Sequence, residues 1–423
     1  MMRTRRARTH LLVSIGAIVG LLAGCASPPV GSLTTALSTG VGPAGSASPS
    51  QRPSPLASPS KSVASAQPTA SPKPIARFGP LPTTKLAPAV AARLQKELDS
   101  LVEGGVPDVI AALIAPEGVW AGAAGVDGPN GRAATPGDEF FIASVSKLIL
   151  ATLAMRLVEL GRLDLDAPLA NYLGGIGAVA NGSTVRHAIA MRSGLGDTTP
   201  GALDQAMAAC DRPWTKDEVL ATIPKPFAPA DSRYYYSNPT YKLLGYAAEH
   251  AAGEPLGTAL RKNVFDPVAA DRILLQGPGQ TTPKPWALPI AGYGGSLALA
   301  KYGTGGTLPC LGLSTVSLGA SGMAADAPSL ARWGWGLFSG EIVKADTLAA
   351  MIEAIGVDGY GLGIERFTDF PPATVYGHSG SGVGYSALLA VLPERQTVVV
   401  VFINEEGADT TAGAWALLAA INR

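Results

Sequence analysis

The alternation of apolar and polar residues predicts an antiparallel sheet assembled from both ends of the folded part of the chain. Apolar runs at residues 109–114 and 119–124 enclose the turn Ala115–Gly118, a pattern typical of a β-hairpin. Three more strand-like runs follow near the other end: Thr374–His378, Ser386–Leu392 and Thr397–Ile403. The last two flank a short polar turn, so we expect them to pair directly as well.

Helical spacing predicts one helix beside each group of strands. In Pro88–Val102 the apolar residues recur every three or four positions, and Gly104-Gly105 end the pattern. These apolar residues are Val90, Leu94, Leu98 and Leu101. Thr411–Asn422 predicts a closing helix at the other end. The predicted fold class is therefore α/β (α+β), with an antiparallel β-sheet flanked by N- and C-terminal helices.

The middle of the chain, about residues 162–330, predicts a large inserted helical domain. It combines helical runs with long Gly- and Pro-rich loops and shows little strand signal. The clearer helical segments are Leu163–Leu173, Val185–Met191, Thr215–Ile223 and Tyr241–Ala252. We expect a functional cleft where this insertion meets the sheet, because such junctions commonly form pockets.

The first 25 residues have the pattern of an export signal. Four arginines precede the twelve-residue apolar run Leu11–Leu22, which is too short to cross a bilayer as a helix. The run ends in Leu22–Cys25, which resembles the lipobox of bacterial lipoproteins and implies cleavage before Cys25 and lipidation of its thiol. We therefore expect a signal peptide at 1–25 and a lipid anchor on the extracytoplasmic face of a bacterial cell membrane. An ordinary cleaved signal with an incidental cysteine is the alternative.

Residues 26–85 predict a disordered Pro/Ser/Ala-rich tether, since they contain one aromatic residue and no acidic residue. Nine of the 32 Lys and Arg residues and none of the 32 Asp and Glu residues lie in 1–85, so residues 86–423 carry a net charge of −9. A folded part with this charge offers no basic surface for phosphates, which excludes nucleic acid as a partner.

Cys210 and Cys310 form an even pair in a chain expected to be exported. We predict a disulfide between them, and two buried thiols are the alternative. No cluster of His, Cys and Asp has metal-ligand spacing and no glycine-rich phosphate loop is present, so we expect no metal and no cofactor. The protein is expected to be a monomer.

Ser144 and Lys147 are the first candidate catalytic pair. Ser144 opens an apolar run to Leu160 that predicts a buried helix ended by Gly161. A spacing of three residues is about one helical turn, so both side chains lie on one face. An amine deprived of water can then accept the hydroxyl proton. The same spelling at Ser58–Lys61 lies in the Pro-rich stretch, where no helix can hold it.

Two further short motifs follow in order, Tyr236-Ser237-Asn238 and His378-Ser379-Gly380. The supporting stretches are Phe141–Lys147, Thr184–His187, Met191–Leu195, Tyr236–Pro239 and Gly377–Gly380. Together they resemble the serine β-lactamase and penicillin-binding-protein superfamily, in the group of class C β-lactamases, D-alanyl-D-alanine carboxypeptidases and related esterases. The resemblance covers about residues 86–423 and implies a β-lactamase-like serine hydrolase domain there.

The resemblance implies a role for each motif residue. Ser144 would be the acylated nucleophile, Lys147 would take its proton and Tyr236 would be the second proton carrier. Asn238, expected on the same side of an extended segment as Tyr236, would hold Lys147 and the substrate amide. His378 stands where many members have lysine. Its charge varies near neutral pH, which shifts the expectation from β-lactam hydrolysis toward peptidase or esterase activity.

The resemblance also implies an oxyanion hole formed by the backbone N–H groups of Ser144 and Ser381. Ser379 and Gly380, which precede Ser381 in the same motif, would contact the substrate.

The resemblance therefore implies a cell-envelope serine hydrolase that forms an acyl-enzyme at Ser144 and acts on D-Ala-D-Ala-type peptides, such as peptidoglycan peptides, or on small esters. Two alternatives stay open: a β-lactamase, and a catalytically silent wall-binding or scaffolding lipoprotein. The sequence also leaves open which residue anchors a substrate carboxylate. The candidates are Arg192, Arg233 and Lys301.

Overall fold

A computed structural model describes residues 77–128, 131–291, 299–370 and 373–422, which belong to one compact unit. Its α-helices are α1 (Pro88–Glu103), α2 (Val145–Glu159), α3 (Val185–Ile189), α4 (Pro200–Ala208), α5 (Lys216–Ala221), α6 (Asn238–Ala252), α7 (Leu256–Leu260), α8 (Leu311–Ser317), α9 (Ala327–Ser339), α10 (Ala345–Glu353) and α11 (Thr410–Ile421). Its strands are β1 (Asp108–Ala115), β2 (Gly118–Asp127), β3 (Arg132–Ala133), β4 (Phe140–Phe141), β5 (Ile273–Leu275), β6 (Met323–Ala325), β7 (Glu365–Phe367), β8 (Val375–Gly382), β9 (Tyr385–Leu392) and β10 (Thr397–Ile403).

Strands from the two ends of the described chain pair at the centre of one antiparallel sheet. Its seven strands lie in the order β3-β2-β1-β10-β9-β8-β7. In the β1–β10 register, Ile110 lies opposite Phe402 and Leu113 lies opposite Val399. The predicted sheet is therefore confirmed, together with the β1–β2 and β9–β10 hairpins.

Helices cover both faces of this sheet, which explains why consecutive residues of β1 and β10, which point to opposite faces, are nearly all apolar. On one face, Leu94 of α1 and Leu417 of α11 are buried in a cluster with Val109 and Val401. On the opposite face, α9 packs across β1 and β10, and α2 contacts β8 and β9. The result is a three-layer arrangement with an apolar core on each side of the sheet.

The inserted region lies beside α2 and carries α3 to α8. Helix α6 packs along α2, and the short strands β4, β6 and β5 form a second, three-stranded antiparallel sheet. A disulfide joins Cys210 to Cys310 with a Cα–Cα distance of 5.4 Å, which confirms the predicted pair. The disulfide ties the end of α4 to the start of α8.

Two features of the inserted region correct the prediction. In place of a helix over Leu163–Leu173, only a short 3-10 turn forms at Leu169–Tyr172. The N–H of Asp166 donates to the Asp164 carboxylate at 2.9 Å, and this local turn competes with a helical start. The region also contains β5 and β6, which the prediction missed because three-residue strands are too short to leave a periodic signal. It ends before α9, which packs on the large sheet.

Residues 77–85 are folded against the domain, which corrects the predicted extent of the tether. Phe78 is 4% exposed, and its ring centroid lies 4.9 Å from that of Trp335. Lys85 forms a β-bridge with Val119 of β2. One aromatic residue in a Pro-rich stretch was too weak a signal to reveal this packing.

The predicted signal peptide with Cys25, and residues 26–76 of the predicted tether, lie outside the described residues. Of the helices in the described ranges, none has the length and apolar character required to cross a membrane.

Candidate active site

Ser144 lies at the N-terminal end of α2, where the inserted region meets the sheet. Ala143 before it has a φ of +45°, a strained conformation for alanine that turns the chain from β4 into α2. The Ser144 side chain has no capping partner among the described residues of the helix start, so its hydroxyl is available for other contacts. The side chains of α2 behind it are nearly all buried, which fixes its position.

Lys147, one turn further along α2, is fully buried beside Ser144. Its Nζ lies 2.9 Å from Ser144 Oγ and donates to the Ala320 carbonyl at 2.8 Å. Burial lowers the pKa of the Lys147 amine to about 7, although the charges of Asp197 and Glu365 oppose the shift. A large share of this amine is therefore neutral at physiological pH and able to accept a proton.

Tyr236 reaches the same point from the segment before α6. Its ring centroid lies 4.8 Å from Lys147 Nζ, and its hydroxyl lies near enough to Ser144 for that side chain to oppose the rise in the pKa of the phenol. Burial raises the pKa of the Tyr236 phenol well above its usual value, so the phenol keeps its proton at neutral pH. A hydroxyl, an amine and a phenol from two distant parts of the sequence thus converge.

Asn238 lines the same cleft, but its side chain has a different partner from the one expected. Its Nδ2 donates to Asp197 Oδ1 at 3.0 Å rather than to Lys147. Ser237 caps α6 by accepting a hydrogen bond from the N–H of Thr240, and Pro239 fits the first turn. Asn238 is therefore the first residue of a helix and not part of an extended segment, which corrects the prediction.

Strand β8 forms the wall of the cleft opposite α6. A Cβ at Gly380 would lie 2.8 Å from Ser144 N and 2.6 Å from Ile142 O, so only glycine allows this approach of β8 to the start of α2. Ser381 follows and lines the cleft together with Ser144. Both residues predicted to supply the oxyanion hole therefore border the same space.

His378 is on β8, is not among the residues that line the open cleft, and has its ring centroid 6.4 Å from that of Tyr236. It is fully buried, its Nδ1 donates to the Ser379 carbonyl at 2.6 Å, and its Nε2 lies 3.3 Å from Tyr360 Oη. Burial lowers the pKa of this imidazole, although Glu365 opposes the shift. The neutral form is therefore favoured, so His378 does not replace a fixed cation.

Ser379, predicted to contact the substrate, is exposed and engaged elsewhere. Its N–H and its hydroxyl both donate to Glu365 Oε2, at 3.0 Å and 3.1 Å. Among the predicted residues of β8, the structure brings Gly380 and Ser381 to the nucleophile and leaves His378 and Ser379 outside the cleft lining.

The cleft beside Ser144 has a volume of about 220 Å³. Its apolar lining residues include Phe141, Leu203, Leu313 and Val383, and its polar ones include Asp197, Thr198, Lys242, Ser321 and Glu406. Within the described part of the chain, no group of three or more His, Cys, Asp or Glu side chains is placed to hold a metal ion.

Asp197 and Lys242 are cleft residues that the sequence analysis missed. Lys242 lies four residues after Asn238 and hence on the same face of α6, a spacing that was an available signal. Asp197 lies in a loop and left no periodic signal. The three cations considered earlier lie elsewhere: Arg192 faces Asp231 and Asp358, Arg233 stacks on Phe227, and Lys301 donates to the Met207 carbonyl.

Two relatives resemble this chain over long stretches of sequence. Esterase EstB from Burkholderia gladioli is 32% identical over 203 residues, which is 43% of this chain and 50% of the esterase. The matched part thus spans about half the length of that relative. Penicillin-binding protein 4 from Amycolatopsis lactamdurans is 26% identical over 347 residues, covering 74% of this chain and 85% of that protein.

Solved structures share the fold. The D-amino acid amidase from Ochrobactrum anthropi SV3, complexed with D-phenylalanine, superposes with a TM-score of 0.66 at 22% identity, covering 79% of this chain and 99% of that one. The penicillin-binding protein homologue from Pyrococcus abyssi, an octamer, gives a TM-score of 0.61 at 23% identity, covering 79% of this chain and 76% of that one. The sequence model of the beta-lactamase family matches residues 86–422. This chain belongs to the beta-lactamase family, within a superfamily of serine hydrolases.

Proposed function

We propose that this protein hydrolyses D-amino-acid peptides of the D-Ala-D-Ala type, or small esters, through an acyl-enzyme at Ser144. The observation that carries the proposal is the 2.9 Å approach of Lys147 Nζ to Ser144 Oγ in a buried setting. A lysine with a lowered pKa beside a serine hydroxyl is the arrangement that activates a serine nucleophile without histidine.

Acylation begins with attack of Ser144 Oγ on the substrate carbonyl carbon, while Lys147 Nζ takes the hydroxyl proton. The negative charge that develops on the carbonyl oxygen is stabilised by the N–H groups of Ser144 and Ser381. When the bond to the leaving group breaks, the Tyr236 hydroxyl protonates that group and recovers a proton from Lys147. Water then attacks the ester carbonyl at Ser144, with Tyr236 and Lys147 moving its proton to Ser144 Oγ, which releases the acid product and regenerates the Ser144 hydroxyl.

Three observations support peptides and esters over β-lactams as substrates. The buried, neutral His378 gives β8 no fixed cation beside the nucleophile. Among the named relatives and structures are an esterase and a D-amino acid amidase. The cleft volume of about 220 Å³ is smaller than that of a pocket for a drug-sized ligand and fits a small acyl group.

A labelled fluorophosphonate tests the nucleophile directly. We expect the wild-type protein to gain one label, located by peptide mass at Ser144, and Ser144→Ala to gain none. Ser193→Ala is the matched control, since Ser193 is a buried serine whose hydroxyl bonds to Thr240. A wild-type protein that stays unlabelled would contradict the proposal and favour the catalytically silent scaffold.

The substrate class is tested with a panel of p-nitrophenyl esters, a D-Ala-D-Ala peptide and nitrocefin. We expect turnover of the peptide or the esters to exceed that of nitrocefin and to require Ser144. Nitrocefin turnover well above that of the other substrates, lost in Ser144→Ala, would identify a β-lactamase instead.

We also propose that the protein is held at the bacterial cell membrane by lipid on Cys25, because residues 22–25 resemble a lipobox. Expressed in a bacterium, the wild-type protein is expected to partition into the detergent phase of Triton X-114, and Cys25→Ser into the aqueous phase. Equal partitioning of the two proteins would remove the lipid anchor from the proposal.

A further inference from the structure

Lys242 is a second buried lysine of the cleft, and the steps proposed above give it no task. It lies on α6 four residues after Asn238, is 2% exposed and lines the same space as Ser144. Its Nζ donates to Thr222 Oγ1 at 3.2 Å. Burial lowers the pKa of the Lys242 amine to about 8, so the amine is still mostly protonated at neutral pH.

This ammonium group forms no ion pair with a described carboxylate, although the charge of Asp197 in the same cleft opposes the lowering of its pKa. Every Asp and Glu of the chain lies within the described residues, and none of these side chains forms an ion pair with Lys242. A charged group buried without a partner carries a substantial desolvation cost. A ligand of opposite charge that binds Lys242 would offset part of this cost.

The carboxylates of the cleft are already occupied by other donors. Asp197 Oδ1 accepts the N–H of Thr198 at 2.7 Å and the N–H of Asn238 at 3.1 Å. Glu406 Oε2 accepts the N–H of Gly384 at 3.2 Å. The carboxylates therefore already have hydrogen-bond donors, whereas Lys242 Nζ has one described acceptor, Thr222 Oγ1, and keeps two donor positions for a ligand.

We propose that Lys242 binds a carboxylate group of the substrate and makes this enzyme selective for acyl substrates that carry a free acid. The proposal rests on the proposed hydrolase function and names its substrate class more closely. A carboxylate in the cleft would accept the two donor positions that Lys242 does not direct at Thr222. Charge-assisted hydrogen bonds in such a dry site are stronger than those of exposed pairs.

Paired substrates measure this selectivity. The first pair is an acetylated D-Ala-D-Ala dipeptide and its C-terminal amide, with the carboxylate on the leaving group. The second is the p-nitrophenyl monoester of glutaric acid and p-nitrophenyl butyrate, with the carboxylate on the acyl group. In at least one pair, we expect the wild-type protein to prefer the acid by about thirtyfold in kcat/KM. Lys242→Met and Lys242→Gln are expected to reduce that ratio to about one.

Dividing the kcat/KM of the acid by that of its neutral partner cancels any effect of a substitution that slows both substrates equally. The charge of Lys242 contributes to the lowered pKa of Lys147, so its loss raises that pKa and slows both members of a pair. Lys262→Met is the matched control, because Lys262 is exposed on the inserted region and pairs with Glu254. Its ratio is expected to equal that of the wild type.

A second measurement does not depend on turnover. N-acetyl-D-alanine is expected to slow fluorophosphonate labelling of Ser144 in the wild type, and N-acetyl-D-alanine amide is not. In Lys242→Met the two compounds should act equally. If Ser144 is labelled but no acid preference exists, or the preference survives in both Lys242 variants, this inference is wrong and the hydrolase proposal stands. If Ser144 is never labelled, the hydrolase proposal itself fails.

Discussion

Lys147 is buried where its positive charge is unfavourable, and this burial makes its amine suitable as a base. Its amine is removed from water by the apolar side chains of α2 and touches Ser144 Oγ and the Ala320 carbonyl. With the pKa lowered to about 7, the amine loses its proton at a pH where ordinary lysines remain charged. The neutral form is the one that can activate Ser144.

The pH dependence of hydrolysis follows from this pKa. Because Lys147 must be neutral to take the Ser144 proton, kcat/KM for an uncharged ester should rise with pH up to about 7 and level off above it. Below this point the rate should fall about tenfold per pH unit. A pH profile with p-nitrophenyl acetate checks this expectation, with buffer-catalysed hydrolysis subtracted. A constant kcat/KM from about pH 5 to about pH 7 would contradict a lysine base.

The approach of β8 to the start of α2 sets the position of the oxyanion donors. Gly380→Ala would place a methyl group against Ser144 N and Ile142 O, which forces the strand and the nucleophile apart. We expect kcat/KM to fall about a hundredfold, which is the effect of losing one oxyanion donor. The measurement is ester hydrolysis at saturating pH, with folding checked by thermal unfolding.

Gly137→Ala is the control for this change, because a Cβ at Gly137 meets no described atom within 4 Å. It is expected to keep wild-type kcat/KM. Wild-type activity in Gly380→Ala would show that the contact between β8 and α2 does not position the oxyanion hole.

The disulfide stabilises the pair of helices that form one side of the cleft. It joins α4, which contributes Leu203, to α8, which contributes Leu313, and it closes a sequence separation of 100 residues. The double variant Cys210→Ser/Cys310→Ser is expected to lose about 2–4 kcal/mol of unfolding free energy, measured by urea titration. Reductant should lower the stability of the wild type and leave the double variant unchanged. Equal stability of oxidised and reduced wild type would contradict this role.

The long elements of the fold were predictable because each is a long, uninterrupted apolar or amphipathic run. Strands β1, β9 and β10 and helices α1, α2 and α11 were located within a few residues. The prediction of shorter elements failed for local reasons. The Asp164–Asp166 turn replaced a predicted helix, and β5 and β6 are too short to show a pattern.

The site was predictable to the extent that it follows from spacing along one element. The Ser144–Lys147 pair depends on one helical turn and is found as expected. The partners of Asn238 and His378 depend on residues far away in sequence, Asp197 and Tyr360. No periodic pattern encodes such contacts, since each joins a loop residue to a separate helix or strand and forms only when these pack together.

The assembled domain brings Ser144 and Lys147 of α2, Tyr236 of the inserted region and Ser381 of β8 to one small cleft. The direct test of this arrangement is acid quenching of p-nitrophenyl acetate hydrolysis in the first turnovers, followed by peptide mass analysis. The expected result is one acetyl group on the peptide that contains Ser144, in greater amount at neutral pH than in acid. Steady hydrolysis that requires the folded protein but leaves Ser144 unacetylated, or that persists in Ser144→Ala, would contradict it.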